Sequence, residues 1–499
     1  MVTLGIDSGT QSTKTIALDT ESGEILASAQ RAYGFIEDLP PGHLEQEPQL
    51  WINAVDDTVR ECLAVIGRRK EDVTAIGVSG QQHGLVVLDK ENNVVRPAKL
   101  WCDTSTNEQC EQFAKEFGGA RGLIELAGNA ILPGYTAPKI LWLKQNEPHN
   151  FAAANCFLLP HDYINFFLTG EKRMEFGDAS GTGLMDIRTR EWCKPLCDFI
   201  DPVISHFIPK PESSRVAVGL LRETLREQWG LKKDVVVSAG GGDNMMGAIG
   251  TGNISPGIVT ASLGTSGTLY SFSENPVIDP EGEIAAFCDS TDAWLPLACT
   301  MNVTVASEQV RKVFGWDHAQ LDAEISAIPA GSDGLLFLPY LNGERTPNLP
   351  QASGVLHGLN ISNMTPAHIA RATVEGVTLG LAYGLRRFHD LGVTPSEIRL
   401  TGGGSKSAAW RQICADVFGL PTVCLKSSEG AALGAAAQAC WQQESANGHR
   451  ESLRAIVSRT VHLDEAQRCE PDKDRAKFYA ELLARQTDLT RKLHAAGYL

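Results

Sequence analysis

Asp243 is the residue whose surroundings point most strongly to chemistry. It follows three consecutive glycines, Gly240–Gly242, and the β-branched run Val235–Ala239, in the sequence DVVVSAGGGDNMMGAIGTG. The run predicts a buried strand and Asn244 to Ile249 predict a helix, so Asp243 stands at a strand-to-helix junction, where Asp is a favoured N-cap. Glycines let another molecule approach the backbone closely, and a carboxylate ending a buried strand of an α/β sheet faces the crevice where ligands bind. A helix cap and a catalytic carboxylate are both open readings.

Two glycine- and threonine-rich turns have the composition of phosphate-binding loops. GIDSGTQST contains Thr10, Ser12 and Thr13, and SLGTSGT contains Gly264 and Thr265. Successive N–H groups and hydroxyls of such turns can donate to phosphate oxygens, although each turn alone is also explained by a plain hairpin. TGGGS adds a third glycine-rich turn, which favours a nucleotide. GxxxxGK[ST] is absent, and no GxGxxG follows an early strand, so a Walker-type site is excluded and a dinucleotide enzyme is disfavoured.

Other polar residues lie at the ends of predicted strands. Asp7 ends the first strand immediately before the first glycine/threonine turn, where a carboxylate suits Mg²⁺ or simply forms the turn. His83, in GQQHG, ends another strand, and a lone histidine is more often structural than functional. Glu344 and Arg345, in GERTP, follow an apolar strand, and a structural ion pair is the expectation for them.

The elements that must position these residues alternate between strand and helix after an antiparallel opening. The pattern predicts strands in VTLGID, KTIALD and ILASAQRAY, a helix from Leu50 and a strand over Val73–Val78. A second hairpin, in ISPGIVTASLGTSGTLYSF, echoes the first. A long helix from Thr365, a strand over Ile398–Thr401 and a helix from Ser407 follow. Together they predict mixed sheets covered by helices, in two related domains.

Length and composition bound the class of protein. A chain of 499 residues exceeds what one core usually supports, and 43% hydrophobic and 21% charged residues are typical of a globular protein. The net charge of -16 argues against nucleic acid or an anionic membrane as a partner. The start of the sequence lacks the features of a signal peptide, so a cytoplasmic location is expected. The twelve cysteines are dispersed without a CxxC pair, which favours reduced thiols over disulfides or a zinc site.

Taken in order, seven motifs resemble those of the FGGY carbohydrate kinases, and the resemblance covers nearly the whole chain. They are GIDSGT, GQQHG, WCD, GGGDN, SLGTSGT, GERTP and TGGGSKS. The resemblance implies an α/β fold of two actin-like, ribonuclease-H-like ATPase domains, with sugar and ATP meeting in the cleft between them. The implied organisation is an N-terminal, sugar-binding domain over 1–247, a C-terminal, nucleotide-binding domain over 248–445 and a helical extension over 446–499.

Site residues are implied by the same resemblance, motif by motif. Asp243 matches the catalytic base and Asp7 the metal-associated acid, which makes both of them catalytic candidates. The implied sugar-binding residues are Gln82, His83, Asp103, Asp243 and Asn244. The implied nucleotide-binding residues are Thr10, Ser12, Thr13, Gly264, Thr265, Gly403, Gly404 and Ser407. The family's adenine contacts fall near LACTMNVTVASEQV, where individual residues cannot be aligned.

The activity that the resemblance implies is phosphorylation of a sugar by ATP with Mg²⁺. GQQHG and WCD are most similar to those of members that convert D-xylulose to D-xylulose 5-phosphate. Another family substrate (ribulose, a pentitol or gluconate), a non-catalytic sugar or nucleotide sensor, and a chaperone-like ATPase are the alternatives. The intact Asp243–Asn244 pair favours catalysis. A chaperone would also need a peptide-binding domain, and no β-rich extension follows the second ATPase half. The expected partners are a sugar and ATP, without nucleic acid or membrane; a homodimer is left open.

Overall fold

The computed structural model describes residues 1–427, 429–446, 448 and 451–499, which form two mixed sheets with covering helices. Each sheet starts with an antiparallel hairpin whose first strand pairs in parallel with a later strand. The first sheet has the order Gly219–Leu220, Val236–Val237, Val73–Gly80, Val2–Ser8, Ser12–Asp19, Ile25–Ala32, and Gly241–Gly242 also pairs with Val73–Gly80. The second has the order Ala285–Cys288, Trp294–Thr300, Gly267–Ser271, Ile258–Leu263, Glu397–Thr401, Thr422–Leu425, Leu463–Cys469.

The helices and small strands fill the connections. Helices up to the middle of the chain are Pro48–Ile66, Asn107–Glu116, Gly119–Ala127, Thr136–Asn146, Pro148–Ala153, Pro160–Thr169, Phe176–Ala179, Lys194–Ile200, Ile204–Phe207, Glu223–Gln228 and Asp243–Gly250, with 3-10 turns at Gly67–Asp72 and Ser180–Thr182. Later helices are Thr304–Val313, His318–Ala327, Pro366–Asp390, Ala408–Phe418, Gly430–Ala446, Leu453–Thr460 and Lys473–Ala495, with 3-10 turns at Ser332–Gly334 and Gly403–Lys406. Two-stranded pairs join Glu45–Gln46 to Ala98–Lys99, Val86–Leu88 to Cys156–Leu158, Met174–Glu175 to Pro211–Glu212, Met185–Asp186 to Glu191–Trp192, and Leu336–Leu338 to Val355–His357.

The opening hairpin forms where the sequence predicts it. Asp7 lies opposite Lys14 across the hairpin, and Ser8 lies beside Gly80 on the parallel strand. The helix expected from Leu50 begins at Pro48, whose missing N–H costs nothing in the first turn of a helix. Its buried face packs on this sheet. Ser8 and Gly80 end neighbouring parallel strands. The hairpin turn that follows Ser8 therefore lies at the carboxyl ends of these strands, which is where ligands bind in α/β sheets.

An alanine-rich helix, Gly430–Ala446, joins the two halves of the chain. It follows a strand of the second sheet but packs against the first sheet and against helix Asp243–Gly250. A Cβ on Gly5 would lie 1.9 Å from the carbonyl oxygen of Ala432, and one on Gly434 would lie 1.8 Å from that of Met246. Backbones this close require glycine. Helix Gly430–Ala446 therefore packs on both helix Asp243–Gly250 and the first sheet, and holds the two together.

The C-terminal part of the chain completes the second sheet and its core. Leu463–Cys469 forms an edge strand, although the sequence suggested helix alone after residue 446. Its side chains are half-buried or exposed, so it lacks the apolar alternation that marks a strand. The helix Lys473–Ala495 buries Tyr479 in the core, where its hydroxyl donates to Glu375 at 2.6 Å. Within the described ranges, no helix is long and apolar enough to cross a membrane.

Candidate active site

Three adjoining cavities run along the cleft between the sheets. The large cavity has a volume of about 710 Å³, the middle cavity about 620 Å³ and the end cavity about 600 Å³. Asp243, Asn244 and Ser262 line both the large and the middle cavity. Gly403 and Lys406 line both the middle and the end cavity. A ligand of three parts could therefore extend along them, with Asp243 at the junction of the first two.

Asp243 is the first residue of helix Asp243–Gly250, and Gly242 occupies the N-cap position that the sequence assigned to Asp243. Gly241 and Gly242 continue the pairing with the strand that ends at Gly80, which carries the chain to the edge of the sheet. Oδ1 of Asp243 accepts hydrogen bonds from the backbone N–H and the side-chain amide of Asn244, at 2.8 and 3.0 Å. Oδ2 accepts none from the described residues and is available to a ligand.

The surroundings of Asp243 favour its protonated form. Burial, and then the charge of Asp7, raise the pKa of Asp243 to about 7. Burial also raises the pKa of Asp7, and the hydrogen bond from Ser79, at 2.9 Å, and the charge of Lys14 oppose that effect. A carboxylate whose pKa is near neutrality can take up a proton during a reaction and release it afterwards.

Gln82 and His83 line the large cavity at the end of the strand Val73–Gly80. Asn244 donates to Oε1 of Gln82 at 2.8 Å, which connects Gln82 to Asp243 through one amide. His83 has a positive φ of 62°. Burial, with Lys139 and Arg345 nearby, holds the pKa of His83 well below its usual range, so the ring is neutral. Its buried Nδ1 has no hydrogen-bond partner among the described residues.

The large cavity contains side chains that the sequence did not single out as ligands. Tyr135 and Phe287 lie against His83, with ring centroids 5.0 and 5.5 Å from its ring. Arg345 also lines this cavity. Among the described residues its guanidinium forms no ion pair, and its backbone N–H donates to Glu344 instead, contrary to the structural ion pair expected with Glu344. Glu344 instead accepts backbone N–H groups, including that of Met301 at 2.6 Å. Because Tyr135, Phe287 and Arg345 come from distant segments, their spacing along the chain does not indicate that they share a cavity.

Asp103 does not reach the cavity. It is fully buried, and its carboxylate pairs with Lys99 at 3.1 Å and accepts hydrogen bonds from Ser105 and the backbone N–H of Leu44. Lys99 also pairs with Glu45 at 3.1 Å, so its ammonium lies among these acids. The neighbouring Trp101 and Cys102 line the large cavity instead. The geometry of Asp103 is that of a residue that holds this turn.

The first glycine/threonine turn is divided between surface and interior. Thr10 lines the large cavity, where its hydroxyl donates to Gln81 and accepts from Trp101. Ser12 accepts from Gln30 at 2.8 Å at the start of its strand. Thr13 is buried, and its hydroxyl is bonded within the fold to Ser8 and Tyr33, so it does not face a cavity. Thr10 and Gln11 are therefore the residues of this turn that border a cavity, and the N–H of Gly9 donates within the turn to Ser12.

The other two glycine-rich turns border all three cavities. Gly264 and Thr265 line the large cavity beside Ser262. Gly403 lies between the middle and end cavities, and Gly404 and Ser407 line the end cavity. Ser407 caps the helix Ala408–Phe418 and donates its hydroxyl to Asp322, so its side chain serves the fold. Residues unassigned from sequence complete the end cavity, namely Thr304, Ser307, Glu308, His318, Ala319, Leu321, Asp322, Ile325 and Trp410.

A buried polar cluster lies beneath the glycines that lead to Asp243. His161 bonds to Asp178 at 2.7 Å and contacts Asp162 at 3.0 Å. Partner charges raise the pKa of His161 to about 9 although burial opposes them, so this histidine is cationic. A Cβ on Gly240 would lie 3.3 Å from the His161 ring. The cluster packs against the glycine turn, and the positive charge of His161 offsets the negative charge of the neighbouring carboxylates.

Two mixed sheets thus face a cleft that has Asp243 near its centre. Residues 2–250 match the N-terminal domain, and residues 259–443 the C-terminal domain, of the FGGY family of carbohydrate kinases. The chain belongs to this family.

Its relatives include kinases of more than one sugar. A xylulose kinase from Haemophilus influenzae is 41% identical over 482 residues, which cover 95% of this chain and 97% of that protein. A crystal structure described as a xyloylose kinase from Brucella ovis has a TM-score of 0.92 at 30% identity and covers 99% of this chain and 100% of its own. A gluconate kinase from Lactobacillus acidophilus has a TM-score of 0.90 at 25% identity and covers 99% and 98%. These comparisons confirm the expected family and its two-domain fold.

Proposed function

We propose that this protein transfers the terminal phosphoryl group of ATP to the terminal hydroxyl of D-xylulose. The observation that carries the proposal is the position of Asp243, which lines both a cavity that places Gln82, His83 and Asn244 among apolar walls and a second cavity bordered by the glycine turn at Gly403 and by lysines. The first has the chemistry to bind a sugar and the second to bind phosphates. The names of the relatives supply the choice of D-xylulose.

In this proposal the sugar occupies the large cavity with its terminal hydroxyl at Oδ2 of Asp243. Asp243 takes the proton of that hydroxyl while the hydroxyl oxygen bonds to phosphorus and the bond from phosphorus to the ADP oxygen breaks. Asn244 holds the carboxylate through Oδ1 and orients Gln82. His83, being neutral, can donate to or accept from a sugar oxygen. Closure of the cleft excludes water, which would otherwise compete for the phosphoryl group.

The nucleotide is assigned to the middle and end cavities. The backbone N–H groups of the turn at Gly403, with Lys14 and Lys406 in the middle cavity, are suited to phosphate oxygens, and the turn at Gly264 adjoins them from the large cavity. Lys14 is paired with Glu429 at 2.8 Å, which fixes its ammonium near this position. The end cavity has apolar walls at Leu321 and Trp410 and carries the purine in this assignment.

The residues fit a magnesium ion beside Asp7. The charge of Asp7 acts on Asp243, which lines the proposed phosphate cavity, and Asp7 lies opposite Lys14, which lines it as well. Mg²⁺ prefers one or two carboxylates together with phosphate oxygens and water. When bound, Mg²⁺ would neutralise phosphate charge. In this proposal Asp7 holds the ion, either directly or through water.

We expect Asp7→Asn to raise the Mg²⁺ concentration for half-maximal activity by about three- to tenfold, because one negative charge is lost without a change of shape. The charge of Asp7 raises the pKa of Asp243. The acid limb of the pH–rate profile should therefore move to lower pH in this variant. Initial rates over a Mg²⁺ series at several pH values check both effects. An unchanged Mg²⁺ requirement together with an unchanged acid limb would show that Asp7 only forms the turn.

The choice of sugar is tested with a panel of substrates. We expect kcat/KM for D-xylulose to exceed that for D-ribulose and for glycerol by at least about tenfold, since a misplaced hydroxyl leaves fixed polar groups unpaired. Gluconate is the informative competitor, because Arg345 lines the large cavity without an acidic partner and could pair with a carboxylate. ADP release measured with each sugar checks the order. A higher kcat/KM for ribulose, a pentitol or gluconate would replace the substrate.

A further inference from the structure

Lys139 is a buried lysine outside the cavities described above. It lies in the first turns of helix Thr136–Asn146, and its side chain is completely buried. Nζ donates to the carbonyl oxygen of His83 at 2.9 Å and to that of Gly134 at a shorter distance. Among the described residues, no carboxylate lies within ion-pair distance of Nζ. Lys139 does not line the large cavity, so it is not placed to touch a bound ligand.

A buried ammonium without an acidic partner is costly, so its hydrogen bonds must matter to the fold or to the site. Burial lowers the pKa of Lys139 to about 7. In either protonation state the amine keeps two N–H groups for its two carbonyl acceptors. The function of Lys139 in this position is therefore to donate hydrogen bonds, and a permanent positive charge is not required for it.

The two carbonyls belong to the two segments that carry side chains into the large cavity. His83 has a φ of 62°, a conformation that is uncommon for a side chain other than glycine and that turns its carbonyl towards helix Thr136–Asn146. Thr136 donates its hydroxyl to the same carbonyl at 3.1 Å. Gly134 immediately precedes Tyr135, whose ring lies 5.0 Å from the ring of His83. One amine therefore ties together the backbones beneath two cavity-lining rings.

We propose that Lys139 is a positioning residue for sugar recognition, which holds the ring of His83, packed against Tyr135, in the orientation that the sugar requires. Thr136 supports the same contact from the neighbouring position. This inference rests on the proposed function in one respect, namely that the large cavity holds the sugar. Lys139 acts on sugar affinity through His83, and it has no contact with the middle or end cavity.

The test is a double-mutant cycle of Lys139→Met and His83→Ala, with D-xylulose and ATP affinities measured by titration calorimetry. We expect Lys139→Met to weaken sugar binding by about five- to twentyfold and ATP binding by less than about twofold. In the His83→Ala background the same substitution should weaken sugar binding by no more than about twofold, because its effect passes through His83. Lys144→Met is the matched control, since Lys144 lies on the same helix and pairs with Asp201 at the surface.

A second pair of variants protects the test against misfolding. Thr136→Val removes the other donor to the His83 carbonyl and should weaken sugar binding in the same way but less, whereas Thr136→Ser keeps the hydroxyl and should bind as wild type. Equal weakening of sugar binding with and without His83, or equal losses for sugar and ATP, would overturn the positioning role. If Lys139→Met does not fold, the Thr136 pair decides by the same criteria. A wild-type protein that binds D-xylulose but phosphorylates no sugar would overturn the proposed function and leave the cycle readable.

Discussion

Asp243→Ala should reduce kcat by roughly a hundred- to ten-thousandfold, which is the usual contribution of a positioned general base. Oδ2 of Asp243 is free of hydrogen bonds to the described residues and lies at the junction of the large and middle cavities. Asp243→Asn is the closer variant, because its amide keeps the shape of the side chain while losing its basicity. Steady-state rates with saturating sugar and ATP provide the measurement. A kcat within about threefold of wild type in either folded variant would contradict the assignment of Asp243.

The pH dependence follows from the same carboxylate. Because the base must be ionised and its pKa is raised to about 7, the rate should fall as the pH drops through about 7. The folded-state pKa of Asp243 exceeds the ordinary aspartate value of 3.8, so the free energy of unfolding falls as pH rises between these two values and stays low above them. Asp243→Asn should therefore be at least as stable as wild type at pH 8. A Tm of this variant below that of wild type at pH 8 would instead indicate that its loss of activity results from unfolding.

Gly403→Leu should lower kcat/KM for ATP by roughly tenfold to a hundredfold, since it places a side chain at the passage between the middle and end cavities. A Cβ on Gly403 would meet no atom within 4 Å, so the fold should tolerate the substitution. Sugar affinity should stay within about twofold of wild type. Calorimetry with ATP and with sugar separates the two effects.

Gly34→Leu is the matched control for that substitution. Gly34 also has open space around the position of a Cβ, and it lies outside the three cavities. Its ATP affinity should equal that of wild type. Wild-type ATP affinity in Gly403→Leu, or an equal loss in the Gly34 control, would contradict the assignment of the nucleotide to this passage.

The sequence predicts well those features that depend only on residues close together along the chain. The opening strands, the helix at Pro48–Ile66 and the two hairpins follow from alternating or helical apolar spacing and from glycine turns. Asp243 and His83 also stand beside glycines at strand ends, which marks them without knowledge of the fold. The N-cap assignment differed by one residue because the strand pairing continues through Gly242.

What the sequence does not reveal depends on contacts between distant segments. Asp103 belongs to a motif, but its carboxylate is buried and accepts a hydrogen bond from the backbone N–H of Leu44 in a distant segment. Tyr135 and Arg345 reach the large cavity from segments about two hundred residues apart, and neither has a local pattern that distinguishes it from a structural residue. The packing of helix Gly430–Ala446 on the first sheet is likewise non-local, because it depends on Gly5 and Gly77 of that sheet.

Analysis of the products formed from ATP and D-xylulose tests the central claim most directly. Phosphorus NMR of the reaction, combined with quantified ADP, reports both the stoichiometry and the carbon that carries the new phosphate. The account predicts one ADP for each sugar phosphate, with phosphorus coupled to the protons at C5. ADP formed with inorganic phosphate and no sugar phosphate, or a phosphate at another carbon, would contradict it.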